Sequence, residues 1–198
     1  ETTRFERKYR CSYNQYNAVK NFLRPYLRKD LFTNKAPDQK YLVRSLYFDT
    51  HDYRLIMEKI GGNSSRTKFR IRTYDSSPEN HPDIRAEIKV RDANRTLKYG
   101  TYISLDDCNR FLKNRQWDNR NDPILVEFER QAHLLNLQPK TLVEYRREGY
   151  HTRDGNNIRI TFDHRIRSAF ARHLFPEQVF WRNSHAQMIV MEIKHQGT

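Results

Sequence analysis

Cysteine is scarce in this chain, with Cys11 and Cys108 the only two among 198 residues. Two thiols make neither a disulfide framework nor a four-ligand zinc site, which favours a reducing compartment. Long apolar runs are also missing. No stretch approaches the roughly 18 residues of a membrane-spanning helix, and the opening ETTRFERKYR has no apolar signal core, so a soluble chain is expected. Glycine and proline are sparse, at 6 and 7 residues, and no segment is rich enough in them to mark a linker. Internal repeats are absent too. One domain over 1–198 is therefore the economical reading. The 8 histidines have no metal-ligand spacing. GGNSS at 61–65 lacks the Gly-x-x-x-x-Gly-Lys pattern, which makes it a turn and not a phosphate loop.

Acid is in short supply: 24 Asp and Glu stand against 37 Lys and Arg, a formal charge of +13 with an isoelectric point of about 9.9. Such an excess implies a polyanionic partner, and nucleic acid, an acidic membrane surface and phosphorylated small molecules all fit.

Alternation and β-branched or aromatic content predict strands at roughly 3–11, 40–49, 64–74, 84–92, 95–103, 140–150, 157–163 and 187–195. Helices fit between them. Ser12 with Gln15 has the form of a capping box ahead of Tyr16, Val19, Leu23, Tyr26 and Leu27 at helical spacing. Further helices are predicted over Thr50 to Ile60, from Ser104 with Asp107 to Leu112, from Asp122-Pro123 along Ile124, Leu125, Phe128, Ala132 and Leu135, and within 167–180. The expected fold class is α+β, an eight-stranded antiparallel barrel with peripheral helices.

Charges inside those strands carry the functional information. Alternate side chains share a face, so in KFRIRTY at 68–74 Arg70 and Arg72 point together, as do Glu87 with Lys89, Glu6 with Lys8, and Glu192 with Lys194. Any one such strand reads as a wet sheet face. Two near-apolar strands, IRAEIKV and MIVMEIKH, are each interrupted by Glu-x-Lys, and burying such charges without partners costs several kcal/mol per ion. A closed barrel whose lumen holds water and a charged ligand resolves the conflict. Lys8, Arg70, Arg72, Lys89, Lys98, Arg147, Arg159 and Lys194 would line that lumen, and so many cations suit a chain of phosphates. Glu6, Glu87 and Glu192 are the candidate holders of a divalent metal, and oxygen-only ligation favours Mg²⁺ or Mn²⁺. Nucleic acid is not expected, because the basic residues follow β alternation beside carboxylates and are not arranged with stacking platforms.

FERKY at 5–9, SLYFDT at 45–50, KFRIRTY, EIK at 87–89, YRREGY at 145–150, IRITFD at 158–163 and MEIK at 191–194 occur in the order found in VTC-type polyphosphate polymerase domains. Over nearly its whole length the chain resembles that family, a branch of the triphosphate tunnel metalloenzymes with an eight-stranded antiparallel tunnel. The resemblance implies transfer of the ATP γ-phosphate to a growing inorganic polyphosphate chain, with Mn²⁺ or Mg²⁺ as cofactor. It gives Lys8, Arg70, Arg72, Lys89, Arg147 and Arg159 the role of catalytic tunnel cations, adds Lys98, Lys194 and Arg54 as substrate-binding positions, and makes Glu192 a metal ligand, with Glu6 beside it. ATP and polyphosphate are the implied partners, and the implied location is the cytoplasm, at the cytoplasmic face of a membrane if a membrane partner or fused membrane segment exists.

Two departures from the family pattern stand out. Tunnel hydrolases begin with Glu-x-Glu-x-Lys, whereas Arg4-x-Glu6-x-Lys8 stands here, which favours the polymerase branch. The chain also ends at MEIKHQGT without the Lys-rich C-terminal helix of the polymerases. A tunnel triphosphatase acting on nucleoside triphosphates and a non-catalytic binder of polyphosphate or inositol phosphates are the alternative readings.

Overall fold

A computed structural model of the chain describes residues 4–80, 82–93, 95–155, 158–183 and 188–196. In chain order the elements are β1 (Arg4–Cys11), α1 (Tyr13–Leu23), β2 (Leu27–Lys29), α2 (Leu31–Lys35), β3 (Tyr41–Asp49), α3 (Arg54–Ile60), β4 (Ser65–Thr73), a 3₁₀ turn (Pro78–Asn80), β5 (Ile84–Asp92), β6 (Arg95–Ile103), α4 (Leu105–Asn114), α5 (Pro123–Leu134), β7 (Gln138–Thr152), β8 (Arg159–Phe170), β9 (Arg182–Asn183) and β10 (Ile189–Gln196). The ladder order is β1-β10-β8-β7-β3-β4-β5-β6, with β2 on β7 and β9 on β8. It is α+β as expected, but among the described residues it is open and not the closed barrel predicted. Its end strands β1 and β6 are both charged, with Arg7, Lys8 and Arg10 on one and Arg95 and Lys98 on the other, and charge of this kind protects an unpaired edge from further pairing.

Two compact units emerge: Glu1–Val43 with Glu144–Arg167 and Arg182–Thr198, and Arg44–Val143 with Ser168–Trp181. In the first, Cys11, Tyr16, Leu27, Tyr150, Ile160, Phe162 and Ile189 form the core beneath α1. The capping box forms as predicted, Ser12 Oγ accepting from Gln15 N and Gln15 Oε1 from Ser12 N. Pro25 closes the helix behind Leu23 because it cannot donate to a further turn, so Leu27 falls in β2 and not on the helical stripe predicted for it.

The second unit packs its sheet under α4 and α5. Phe128 meets Phe48, Phe69, Phe111 and Trp117 edge-on, and Phe111 and Trp117 stack at 3.9 Å. Helix α3 starts at Arg54 and not at Thr50. The Asp49 carboxylate accepts from the amides of Thr50, Leu55 and Ile56, and Tyr53, at φ 61°, is left-handed and blocks an earlier start. The helix predicted within 167–180 does not form: β8 continues to Phe170, the Ala171 amide bonds the Lys140 carbonyl, and Pro176 interrupts any helix beyond.

Phe128 touches four aromatic rings, so Phe128→Ala should lower unfolding free energy by about 3–5 kcal/mol. Urea denaturation followed by Trp117 fluorescence would measure it, and a loss below about 1 kcal/mol would contradict this account of the core.

Candidate functional site

In the second unit the sheet register places three charged strands side by side. Lys68 stands opposite Lys89, Arg70 opposite Glu87 and Arg72 opposite Arg85, while Lys98 stands opposite Lys89 and Gly100 opposite Glu87. Phe69 and Ile71 turn the other way into the aromatic core. Both faces of KFRIRTY are thus enclosed, since Arg72 is itself only 7% exposed.

Glu87, 1% exposed, is the centre of this polar face. Arg70 Nε donates to Glu87 Oε2 at 2.6 Å, and Lys98 Nζ lies 2.6 Å from Oε1. Gly100 makes room for the carboxylate, because a β-carbon there would lie 3.3 Å from Glu87 Cγ. Burial alone would raise the Glu87 carboxyl, but Arg70, Arg72 and Lys98 outweigh it and hold it at about 2. Burial also lowers Lys98 despite its carboxylate partner. Arg70 donates to Tyr47 Oη at 3.1 Å, and Arg72 to Ser45 Oγ at 2.9 Å. Burial would raise the Tyr47 hydroxyl, yet the Arg70 and Arg72 charges bring it down to about 8.

The first unit builds a second polar face around Glu192, 3% exposed. Its Oε1 lies 3.2 Å from Lys194 Nζ and 3.6 Å from Lys8 Nζ, and Arg147 Nη2 donates to Oε2 at 3.5 Å. Lys8 also reaches Glu6 at 3.2 Å. Burial lowers Lys8 and Lys194 alike, but Glu192 and Glu6 carry Lys8 above its ordinary value, whereas Lys194, which also faces Arg147, stays below it. Arg147 grips Asp163 with two bonds of 2.6 and 2.8 Å. Thr161, opposite Glu192 in the ladder, keeps a buried Oγ1 without a hydrogen-bond partner among the described residues.

Arg159 stands opposite Lys194 and donates to Asp30 at 3.0 Å and to Tyr41 Oη at 3.3 Å. Asp30 in turn caps α2 through the Thr33 amide, and it sits where a β-carbon on residue 149 would lie 2.0 Å from its Oδ2. Only glycine fits that position of YRREGY.

The predicted site residues therefore gather as two groups: Arg70, Arg72, Lys89 and Lys98 around Glu87, and Lys8, Arg147, Lys194 and Glu6 around Glu192, with Arg159 beside the latter. Arg54 joins neither, being paired with Glu58 one turn along its own helix at 3.0 Å. Among the described residues no group of three or more His, Cys, Asp or Glu gathers as a metal site. Asp163, Asp30 and Tyr47 were missed as members. Asp163 had a legible signal, since Arg159, Thr161 and Asp163 alternate along one strand, whereas Asp30 had none, because β2 and α2 are too short for a periodic pattern.

The antiparallel sheet thus buries carboxylates among arginines and lysines, an arrangement suited to binding anions. The chain belongs to the VTC domain family, whose model matches residues 3–198. Among solved structures, it is similar to a candidate adenylate cyclase from Bacillus halodurans, with TM-score 0.57 and 14% identity over 99% of this chain and 82% of that one. A candidate adenylate cyclase from Vibrio parahaemolyticus gives TM-score 0.50 and 11% identity over 98% of this chain and 76% of that one. At these identities the likeness concerns the fold. A comparison with curated proteins gives no match. No helix among the described residues is long and apolar enough to cross a membrane.

Two titrations test the electrostatics. Glu87 has a folded value of about 2 against an ordinary 4.5, so its contribution to stability is complete above about pH 4.5 and is lost as pH falls toward 2. Glu87→Gln should flatten that acid limb of the melting-temperature profile, and an unchanged limb would refute the assignment. Tyr47 should ionise near pH 8 by ultraviolet difference absorption, a transition that Tyr47→Phe removes. Pyrophosphate bound to Arg70 and Arg72 should move that transition upward by neutralising them.

Proposed function

We propose that this protein is a metal-dependent polyphosphate polymerase that transfers the γ-phosphoryl group of ATP to the end of an inorganic polyphosphate chain. The observation that carries the reading is the Glu87 face, where Arg70, Arg72, Lys89 and Lys98 gather around one deeply buried carboxylate and leave a cationic surplus, whereas Lys8, Lys194, Arg147 and Arg159 are matched by Glu192, Glu6, Asp163 and Asp30. That surplus suits an extended chain of phosphates better than a single anion.

An oxygen of the terminal acceptor phosphate attacks the γ-phosphorus, the bond from that phosphorus to the β–γ bridging oxygen breaks, and ADP departs with the electron pair. The acceptor oxygen is already ionised, so no general base is required. Catalysis is then positioning and charge neutralisation, with Arg70, Arg72, Lys89 and Lys98 on the polar face of one unit, and Lys8, Arg147, Arg159 and Lys194 on that of the other, as the groups that hold phosphate oxygens. Arg54, out on α3, would meet the nucleotide.

A divalent ion fits these residues in one way. Glu192 and Glu6 offer two carboxylates that share Lys8, and the unpartnered Thr161 Oγ1 stands opposite Glu192. Mg²⁺ is commonly held by one or two carboxylates with phosphate oxygens completing its shell, and Mn²⁺ suits the same oxygen donors. When bound, the ion would neutralise developing charge on the transferred phosphoryl group. With Arg4 in place of the first carboxylate of the hydrolase pattern, activation of water is less well served than transfer to phosphate.

Incubation with ATP and Mn²⁺ should yield long-chain polymer on a polyacrylamide gel, and free phosphate without polymer would establish the hydrolase instead. Arg70→Ala and Lys8→Ala should each lower turnover about 10²-fold. Normal polyphosphate binding in Glu192→Ala, with no metal-dependent turnover in the parent protein, would favour a binding module.

A further inference from the structure

On the opposite side of β7 and β8 from Glu192 lies a cleft of about 760 Å³ within the first unit, and the proposed reaction does not use it. Arg146, His164, Arg165 and Lys40 line it, together with Ser12, Tyr13 and Asn14 at the start of α1. The doublet in YRREGY divides between the two sides: Arg147 reaches Asp163 and Glu192, and Arg146 faces the cleft.

His164 and Arg165 are consecutive, and in a regular strand they would point to opposite faces. Here both line one cleft. Arg165 has φ 50°, a left-handed conformation rare for any residue but glycine, and this break in the strand turns its side chain to join His164. Strained backbone of this kind is found where a side chain must be aimed.

Beside the cleft, the buried Glu148 already engages Lys40, one of the lining residues. Glu148, 1% exposed, accepts from Tyr16, Tyr150 and Lys20, each at 2.8 Å, and lies 3.4 Å from Lys40. His164 is 9% exposed and holds Nε2 3.2 Å from Glu148 Oε1 without hydrogen-bonding geometry. Asp38 is the one carboxylate among the lining residues, and it turns to the Lys40 amide. Arg146 and Arg165 are both exposed and make no ion pair among the described residues. At the rim, the amides of Tyr13 and Asn14 precede any intrahelical acceptor, and Ser12 Oγ is occupied by Gln15.

From two aimed, unpaired guanidinium groups converging on a helix N-terminus above a buried histidine, we infer that this cleft is a second anion site, specific for a small oligophosphate. Guanidinium forks match phosphate oxygens in pairs, and a helix N-terminus adds amide donors and a favourable dipole. The volume accepts two or more linked phosphates, and Arg146 and Arg165 together exceed what Asp38 alone would neutralise. The inference does not depend on the polymerase reading.

Titration calorimetry of the whole chain with inorganic pyrophosphate, without ATP or metal, tests it. Two classes of site are expected. Arg146→Gln combined with Arg165→Gly removes both guanidinium groups while glycine accepts the left-handed backbone, and it should weaken one class at least tenfold and leave the other. Lys8→Ala with Arg70→Ala should do the converse. An isotherm unchanged by the Arg146 and Arg165 pair overturns the proposal. A tungstate soak of the unmodified protein should place an anomalous peak between Arg146 and Arg165, and no peak at saturating tungstate likewise overturns it. Whatever turnover of ATP the parent protein shows, polymer or free phosphate, should persist in the Arg146 and Arg165 variant.

Discussion

Like charges crowd the polar faces of both units, and that crowding is tolerated because each unit buries a carboxylate among them. Glu87 is met by Arg70 and Lys98, and Glu192 by Lys8, Lys194 and Arg147. Glu87 is outnumbered, whereas the cations about Glu192 are matched by Glu6 and Asp163 as well. Complete pairing would leave nothing for a ligand, and no pairing would make the desolvated cations too costly to hold in place. On the Glu87 face the intermediate state keeps the side chains oriented and leaves positive charge to spare, and on the Glu192 face the pairing is closer to complete.

The scaffold supports this by separating its two kinds of surface along single strands. In β4, Phe69 and Ile71 sit against Phe128 and its neighbours while Arg70 and Arg72 face Glu87. In β7, Arg147 and Glu148 are adjacent in sequence, yet the first belongs to the Glu192 face and the second to the network under α1. The alternation that fixes strand register thus also fixes which charges meet, and a slip of one residue would exchange apolar and ionic faces throughout.

Much of this was legible beforehand. The capping boxes at Ser12 and Ser104, the stop at Gly61 and the long alternating strands have local causes, and the structure reproduces them. Charge alternation marks Arg70, Glu87, Lys98, Lys8, Glu192 and Lys194 as members of polar faces, but it points to a single lumen and not to the two groups that form around Glu87 and Glu192. What escaped depends on distant contact. Asp30 matters because a short strand lays it against Gly149 and Arg159, and Glu148 because four elements converge on it. Sequence periodicity does not encode such meetings. The left-handed Arg165 has no local signature either, since neither glycine nor asparagine marks the position. The expected closure of the sheet was not met among the described residues, because alternation specifies faces and not what pairs with the last strand, and the helix expected within 167–180 was not met either, because β8 continues to Phe170.

Gly100 bears no charge and touches no ligand, yet it shares a contact with Glu87 that makes the two positions a single inheritable character. A β-carbon at 100 would meet the Glu87 Cγ at 3.3 Å, so the carboxylate that answers Arg70 and Lys98 would have to give way by a few tenths of an ångström. In drift or in directed evolution, 87 and 100 are therefore coupled positions, and a library that varies one does well to vary the other.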